Sequence, residues 1–186
     1  WRDFCILMRS KKGKVAPFAD KLKELGIPCY AEAGQGYFDS FEISIMLSLL
    51  KVIDNPLLDI ELFTVMMSPM FLFTADDLAK IRLKDRKAPL YTAVTLAAQD
   101  GDTACQEFLD TLSYLRAQAV ILPISRLIQL IYDHTGFLFV VESMVSGEQK
   151  QANLRLLLTY AENYESIGSF GLDGFLRFVN RAIERG

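Results

Sequence analysis

DSFEISIMLSLLKVIDNP, residues 39–56, decides the fold class. Ile43, Met46, Leu47, Leu50 and Ile53 recur every three or four positions, which sets them on one face of an α-helix. Asp54-Asn55-Pro56 stops that helix, because proline pushes the residue before it out of the α conformation. C-terminal to this stop the helical period continues, with helices expected over 59–67, 75–84, 89–99, 102–120, 124–134, 147–166 and 172–185. Thr74-Ala75-Asp76-Asp77 has the form of a capping-box start, and Pro123 suits a first helical turn. Leu138-Phe139-Val140-Val141 has strand composition, but its shortness and helical neighbours favour a helix.

N-terminal to the deciding stretch the pattern differs. Phe4-Cys5-Ile6-Leu7-Met8 is an unbroken apolar run, the signature of a strand buried on both faces of a parallel sheet. Val15, Phe18, Ala19, Leu22 and Leu25 have helical spacing, ended by Gly26. Ile27-Pro28-Cys29-Tyr30-Ala31 reads as a second strand, and Ala33-Gly34-Gln35-Gly36 as a turn. The expectation is a mainly α chain, with a small α/β part over 1–56 and an all-helical part over 57–186.

Composition bounds the function. In 186 residues, 51% are hydrophobic and 23% charged, with 13 Phe and 7 Tyr, ample for a packed core. The net charge of −3 is not the bulk signature of a nucleic-acid binder. The charge is uneven, however: Arg2, Arg9, Lys11, Lys12 and Lys14 crowd the N-terminus, while 55–146 is acidic. Cys5, Cys29 and Cys105 sit in apolar patterns without CxxC spacing, so buried thiols in the reducing cytoplasm are expected. No apolar stretch approaches the ~20 residues that span a bilayer. The chain opens at Trp1 without Met and closes at Gly186 straight after an amphipathic segment, and both ends read as internal to a longer chain.

Catalytic constellations are missing from the pattern. His134 is the single histidine and falls at a helix C-terminus, where a cation is favoured by the helix dipole. One His and three scattered Cys make no zinc set, and no Ser lies in a nucleophile elbow. Gly34-Gln35-Gly36 lacks a third glycine, and Lys12-Gly13-Lys14 lacks the rest of a Walker A loop. The cluster Arg9-Ser10-Lys11-Lys12-Gly13-Lys14 follows the first expected strand, at the carboxyl edge where α/β sheets bind ligands. Two readings stand: phosphate contacts to a nucleic acid, or a solvated turn that keeps the chain soluble.

Several blocks stand in a recognisable order. They are Phe4-Cys5-Ile6-Leu7-Met8-Arg9-Ser10, then Gly26-Ile27-Pro28-Cys29-Tyr30, then Gly36-Tyr37-Phe38-Asp39-Ser40-Phe41-Glu42-Ile43 continuing to Asn55-Pro56. Fainter matches are Met67-Ser68-Pro69-Met70, His134-Thr135-Gly136-Phe137 and Ala152-Asn153-Leu154-Arg155-Leu156-Leu157. In this order the chain resembles the UvrD/Rep/PcrA class of superfamily 1 DNA helicases. Tyr30 to Phe38 and Lys150 to Arg155 look most like the AddA (RexA) helicase-nuclease branch.

The resemblance implies the end of motor subdomain 2A followed by the helical 2B insertion. The ATP machinery would lie outside the chain, so no cofactor is expected here, with ATP and Mg serving the parent. The parent would translocate 3′ to 5′ in double-strand-break repair and recombination, beside an AddB-like partner subunit. The family's strand-ending arginine and the residue two further on touch single-stranded DNA, which maps the contact to Arg9 and Lys11, with Lys12 and Lys14 adjacent. Gly36 and Ser40 replace basic residues that many relatives carry. Tyr37 and Phe38 stack on a base or, the favoured reading, pack on the 43–50 helix. The alternative to the whole reading is a stand-alone helical interaction module with no nucleic-acid role.

Overall fold

The computed structural model describes residues 4–8, 15–29, 35–168 and 170–185. Among them are eleven helices: α1 Val15–Glu24, α2 Gln35–Phe38, α3 Phe41–Asp54, α4 Asp59–Met66, α5 Ala75–Arg82, α6 Leu90–Gln99, α7 Thr103–Ala119, α8 Ile124–Thr135, α9 Phe137–Glu142, α10 Gly147–Ser166 and α11 Leu172–Arg185. The mainly α class is as expected, and the helices set by the apolar period keep their expected boundaries within two residues; α2 is not among them, and it takes up Gln35 and Gly36, expected as part of a turn.

The expected strands are a correction. Residues 4–8 and 27–29 carry no strand, and among the described residues there is none. Phe4 is 81% exposed and Leu7 92%, so no sheet covers either face of that run. An apolar run becomes a strand only when a neighbour supplies its ladder, and two short strands alone are marginal in water. Tyr30 and Ala31, the end of the second expected strand, lie outside the described residues. Of the apolar face expected over 15–25, Phe18 and Leu25 are more than half exposed.

The deciding helix forms as α3 and runs through the centre of the core. Ile43, Met46, Leu47, Leu50 and Ile53 are buried, but so are Ile45, Leu49 and Val52 on the other side. A helix apolar all round is an interior helix, and α3 packs against α4, α7, α10 and α11. Around it, α6 bridges α4, α5 and α7, and α8 joins α7 to α9 and α10. Each fully buried Leu or Ile contributes about 1.5–3 kcal/mol relative to exposure.

Local sequence sets the helix ends. Thr74 accepts a hydrogen bond from Asp77 N while Asp77 accepts from Thr74 N, the reciprocal capping box. Asp102 caps α7 by accepting from Cys105 N at 3.0 Å. Pro123 stands one position before α8 as its N-cap. There the cap comes from α10, since the Glu165 carboxylate accepts from Ser125 N and from Ser125 Oγ, each at 2.8 Å. Gly136, at φ 63°, takes the left-handed turn that lets α8 stop and α9 start. α11 locks onto α10 through Tyr164, whose Oη donates to Phe170 O at 3.0 Å and lies over Gly174, where a Cβ would strike it.

Candidate functional site

Two sequence blocks that stand 111 residues apart meet in the structure. The first is Gly36-Tyr37-Phe38-Asp39-Ser40-Phe41-Glu42, which forms α2 and the start of α3. The second is the stretch of α10 around Asn153. The Asn153 Nδ2 donates to Glu42 Oε1 at 2.6 Å, short as expected for a donor facing a carboxylate. Gln149 Nε2 donates to Asn153 Oδ1 at 3.1 Å, so a turn of α10 orients the amide. Tyr37 Oη donates to the backbone carbonyl of Asn153 at 2.9 Å. One residue further on, Leu154 O accepts from Tyr132 Oη of α8 at 2.8 Å.

Sequence explains why this corner holds its shape. Ser40 ends α2 by donating its hydroxyl to Tyr37 O at 2.7 Å and stands as the N-cap position of α3. Glu42 then falls in the first turn of α3, where the helix dipole favours a negative charge. Glu42 is only 2% exposed, so its carboxylate depends on the Asn153 bond and on the helix end.

Aromatic rings close the corner. Tyr37 stacks on Tyr160 at 5.7 Å, Phe38 approaches Tyr160 at 5.5 Å, and Tyr37 meets Phe38 edge-on at 4.9 Å. Burial pushes the Tyr37 phenol well above its ordinary value, with Tyr132, Tyr160 and Glu42 adding to the shift. Burial alone raises Tyr132. Both phenols stay protonated over the ordinary pH range and donate to the α10 backbone.

The site residues expected from sequence divide in two. Arg9, Lys11, Lys12 and Lys14 lie outside the described residues. Tyr37 and Phe38 are described, and at 5% and 8% exposure neither ring shows a free face. Stacking on a base would require this corner to open. Glu42 and Asn153 each fall within a matching block, but nothing local in either block says that they touch.

The remaining reactive groups are dispersed. Cys105 is buried, whereas Cys5 is exposed and Cys29 half-buried, so the expectation of three buried thiols holds for one. Burial first, then the Asp102 charge, push the Cys105 thiol up to about 12. His134, exposed in the last turn of α8, lies 5.3 Å from the Tyr114 ring. Among the described residues, no three His, Cys, Asp or Glu side chains come together as a metal set. No helix of the described residues is long and apolar enough to cross a membrane. The corner is a polar junction between distant parts of the chain, able to fix their relative position.

No family model matches the chain. Individual relatives do. Over 184 residues, 97% of the chain, it is 40% identical to the AddA-type ATP-dependent helicase/nuclease of Thermoanaerobacter sp. (strain X514). Proteins of the same name from Oceanobacillus iheyensis and Bacillus licheniformis are each 44% identical over the whole chain. The chain spans 15–16% of the length of these three relatives.

Proposed function

We propose, from the premise that this chain is homologous along nearly its whole length to one segment of the ATP-dependent helicase/nuclease AddA, that it serves as the DNA-side segment of such an enzyme. Residues 1–56 are then the end of motor subdomain 2A, and 57–186 its helical 2B insertion. Relatives at 40–44% identity carry the parentage. The observation that supports the placement is the Glu42–Asn153 bond, which ties two of the blocks that resemble this family into one corner.

In this reading the segment guides DNA and passes movement between motor and insertion, while chemistry happens elsewhere. The residues present do not fit the parent's ATP and Mg. The sequence holds no GxxxxGK[ST] loop, and the described residues hold no acidic trio for a metal. Arg9 and Lys11 supply phosphate contacts to a single strand, with Lys12 and Lys14 beside them. The parent acts in the cytoplasm in double-strand-break repair and recombination, moves 3′ to 5′, and pairs with an AddB-like protein.

The experiment is a graft. This chain replaces the corresponding segment of the Bacillus licheniformis relative, and DNA-stimulated ATP hydrolysis is measured. Retained stimulation is expected. A soluble chimaera that hydrolyses ATP without responding to DNA would sink the reading. ATP hydrolysis by the isolated 186-residue chain would overturn the non-catalytic part.

A stand-alone interaction module remains the second reading, favoured by one observation. Ile60 and Phe63 of α4, with Leu57 and Met67 flanking the helix, are exposed apolar side chains. A soluble complex of the isolated chain with a protein unrelated to helicases, docked on those side chains, would decide for it.

A further inference from the structure

The turn between α5 and α6 concentrates positive charge in a way the rest of 55–146 does not. Residues 80–87 hold Lys80, Arg82, Lys84, Arg86 and Lys87 against Asp85 alone. Elsewhere in 55–146 the only Lys or Arg residues are Arg116 and Arg126, amid acids throughout. An anion approaching this acidic half of the molecule is steered to one place.

Three of the five cations are turned to partners in the chain. Lys80 lies 3.9 Å from Asp77. Arg82 donates to Ala88 O at 2.6 Å and sits 3.7 Å from Asp59, which also accepts from Leu90 N. Lys84 pairs with Asp100 at 2.6 Å. Asp85 faces the turn's own backbone, accepting from Lys87 N at 2.9 Å and Ala88 N at 3.0 Å. These contacts tie the turn to α4 and α6 and fix its backbone before any ligand arrives. The side chains of Arg86 and Lys87 are left exposed, adjacent and without a partner among the described residues.

We propose that this α5–α6 turn, through Arg86 and Lys87, is a binding site for the phosphates of a nucleic-acid backbone. The proposal rests on the DNA-handling reading above and adds a second contact, about 75 residues along the chain from Arg9 and Lys11. A held turn that presents two unpaired cations loses little freedom on binding. Neighbouring phosphates on one strand give the two side chains separate partners. Contacts to phosphate carry no sequence information, so the site positions nucleic acid without selecting sequence.

The test uses the 186-residue chain, a labelled single strand and the matching duplex, with anisotropy read at several salt concentrations. Three proteins are compared: wild type, Arg86→Ala/Lys87→Ala, and the charge-matched control Arg126→Ala/Arg181→Ala. All substitutions are at exposed positions, and circular dichroism checks that the fold is retained. Two lost phosphate contacts flatten the salt dependence, so between about 50 and 200 mM salt the wild type should lose about tenfold more affinity than the Arg86/Lys87 variant. The control should follow the wild type. An effect on the single strand alone or on the duplex alone supports the site and says which form it holds. Equal salt dependence in all three proteins overturns it, as does no binding of either probe. Polyglutamate competing as well as the oligonucleotide, charge for charge, removes the nucleic-acid assignment. The graft is a separate readout, so the helicase reading can stand while this site fails.

Discussion

Replacing Asn153 by leucine should cost far more than the loss of one exposed amide suggests. Asn153 itself is half-buried, but the carboxylate it serves is 2% exposed. The 2.6 Å bond to Glu42 Oε1 would vanish, and the carboxylate would stay buried with only the α3 dipole beside it. An orphaned buried group costs about 1–3 kcal/mol, more when charged, so about 3 kcal/mol is expected. For a chain of this size each kcal/mol moves Tm by about 2–4 °C, giving a fall of roughly 6–12 °C. The bond from Tyr37 Oη to the Asn153 backbone carbonyl survives the change, which isolates the side-chain effect. Pairing it with Glu42→Leu completes a double-mutant cycle, read by urea unfolding. With both polar partners gone the double variant should recover part of the loss, a coupling of about 1–3 kcal/mol. Additivity within about 0.5 kcal/mol would refute the claim that these side chains hold the corner.

Other predictions follow from single contacts. Gly174→Ala forces Tyr164 Oη off its seat on α11 and should destabilise by about 1–3 kcal/mol, a loss that Tyr164→Phe in the same chain partly relieves. The Thr74 hydrogen bonds hold the Asp77 carboxyl below its usual range, so its stabilising contribution is full above the unfolded value near 4 and is lost as pH falls further; Thr74→Ala should flatten that acid limb in thermal melts. Cys5 should react promptly with a thiol reagent at about pH 8, while Cys105, buried and pushed up to about 12, should react only as the chain unfolds. Leu49→Ala, at a site with no exposure inside α3, should cost about 2–5 kcal/mol in urea unfolding.

The helices were legible because their signal is local. The three-to-four-residue period of 43–53 and the Thr74–Asp77 spacing need no information from elsewhere in the chain. The burial of Ile45, Leu49 and Val52 was less visible, since whether the second face of an apolar helix is covered depends on α4, α7, α10 and α11 together. The run Phe4–Met8 misled for the opposite reason. Its composition suits a buried strand, but a strand exists only with a partner, and composition names none. Glu42 and Asn153 sit in blocks that family resemblance picks out separately, and only folding shows that they bond. The Arg86–Lys87 turn is averaged away in any net charge taken over 55–146, because five of the seven Lys and Arg residues there fall within eight positions.

The central claim is that this segment touches DNA from the motor side, through Arg9 and Lys11. Anisotropy of a labelled single strand with wild type and with Arg9→Ala/Lys11→Ala tests it most directly. Weak, salt-sensitive binding is expected of the wild type. The variant's log–log salt slope should be shallower by about 1.4, two contacts at about 0.7 each. Equal affinity and equal slope for the two proteins at low salt would contradict the account.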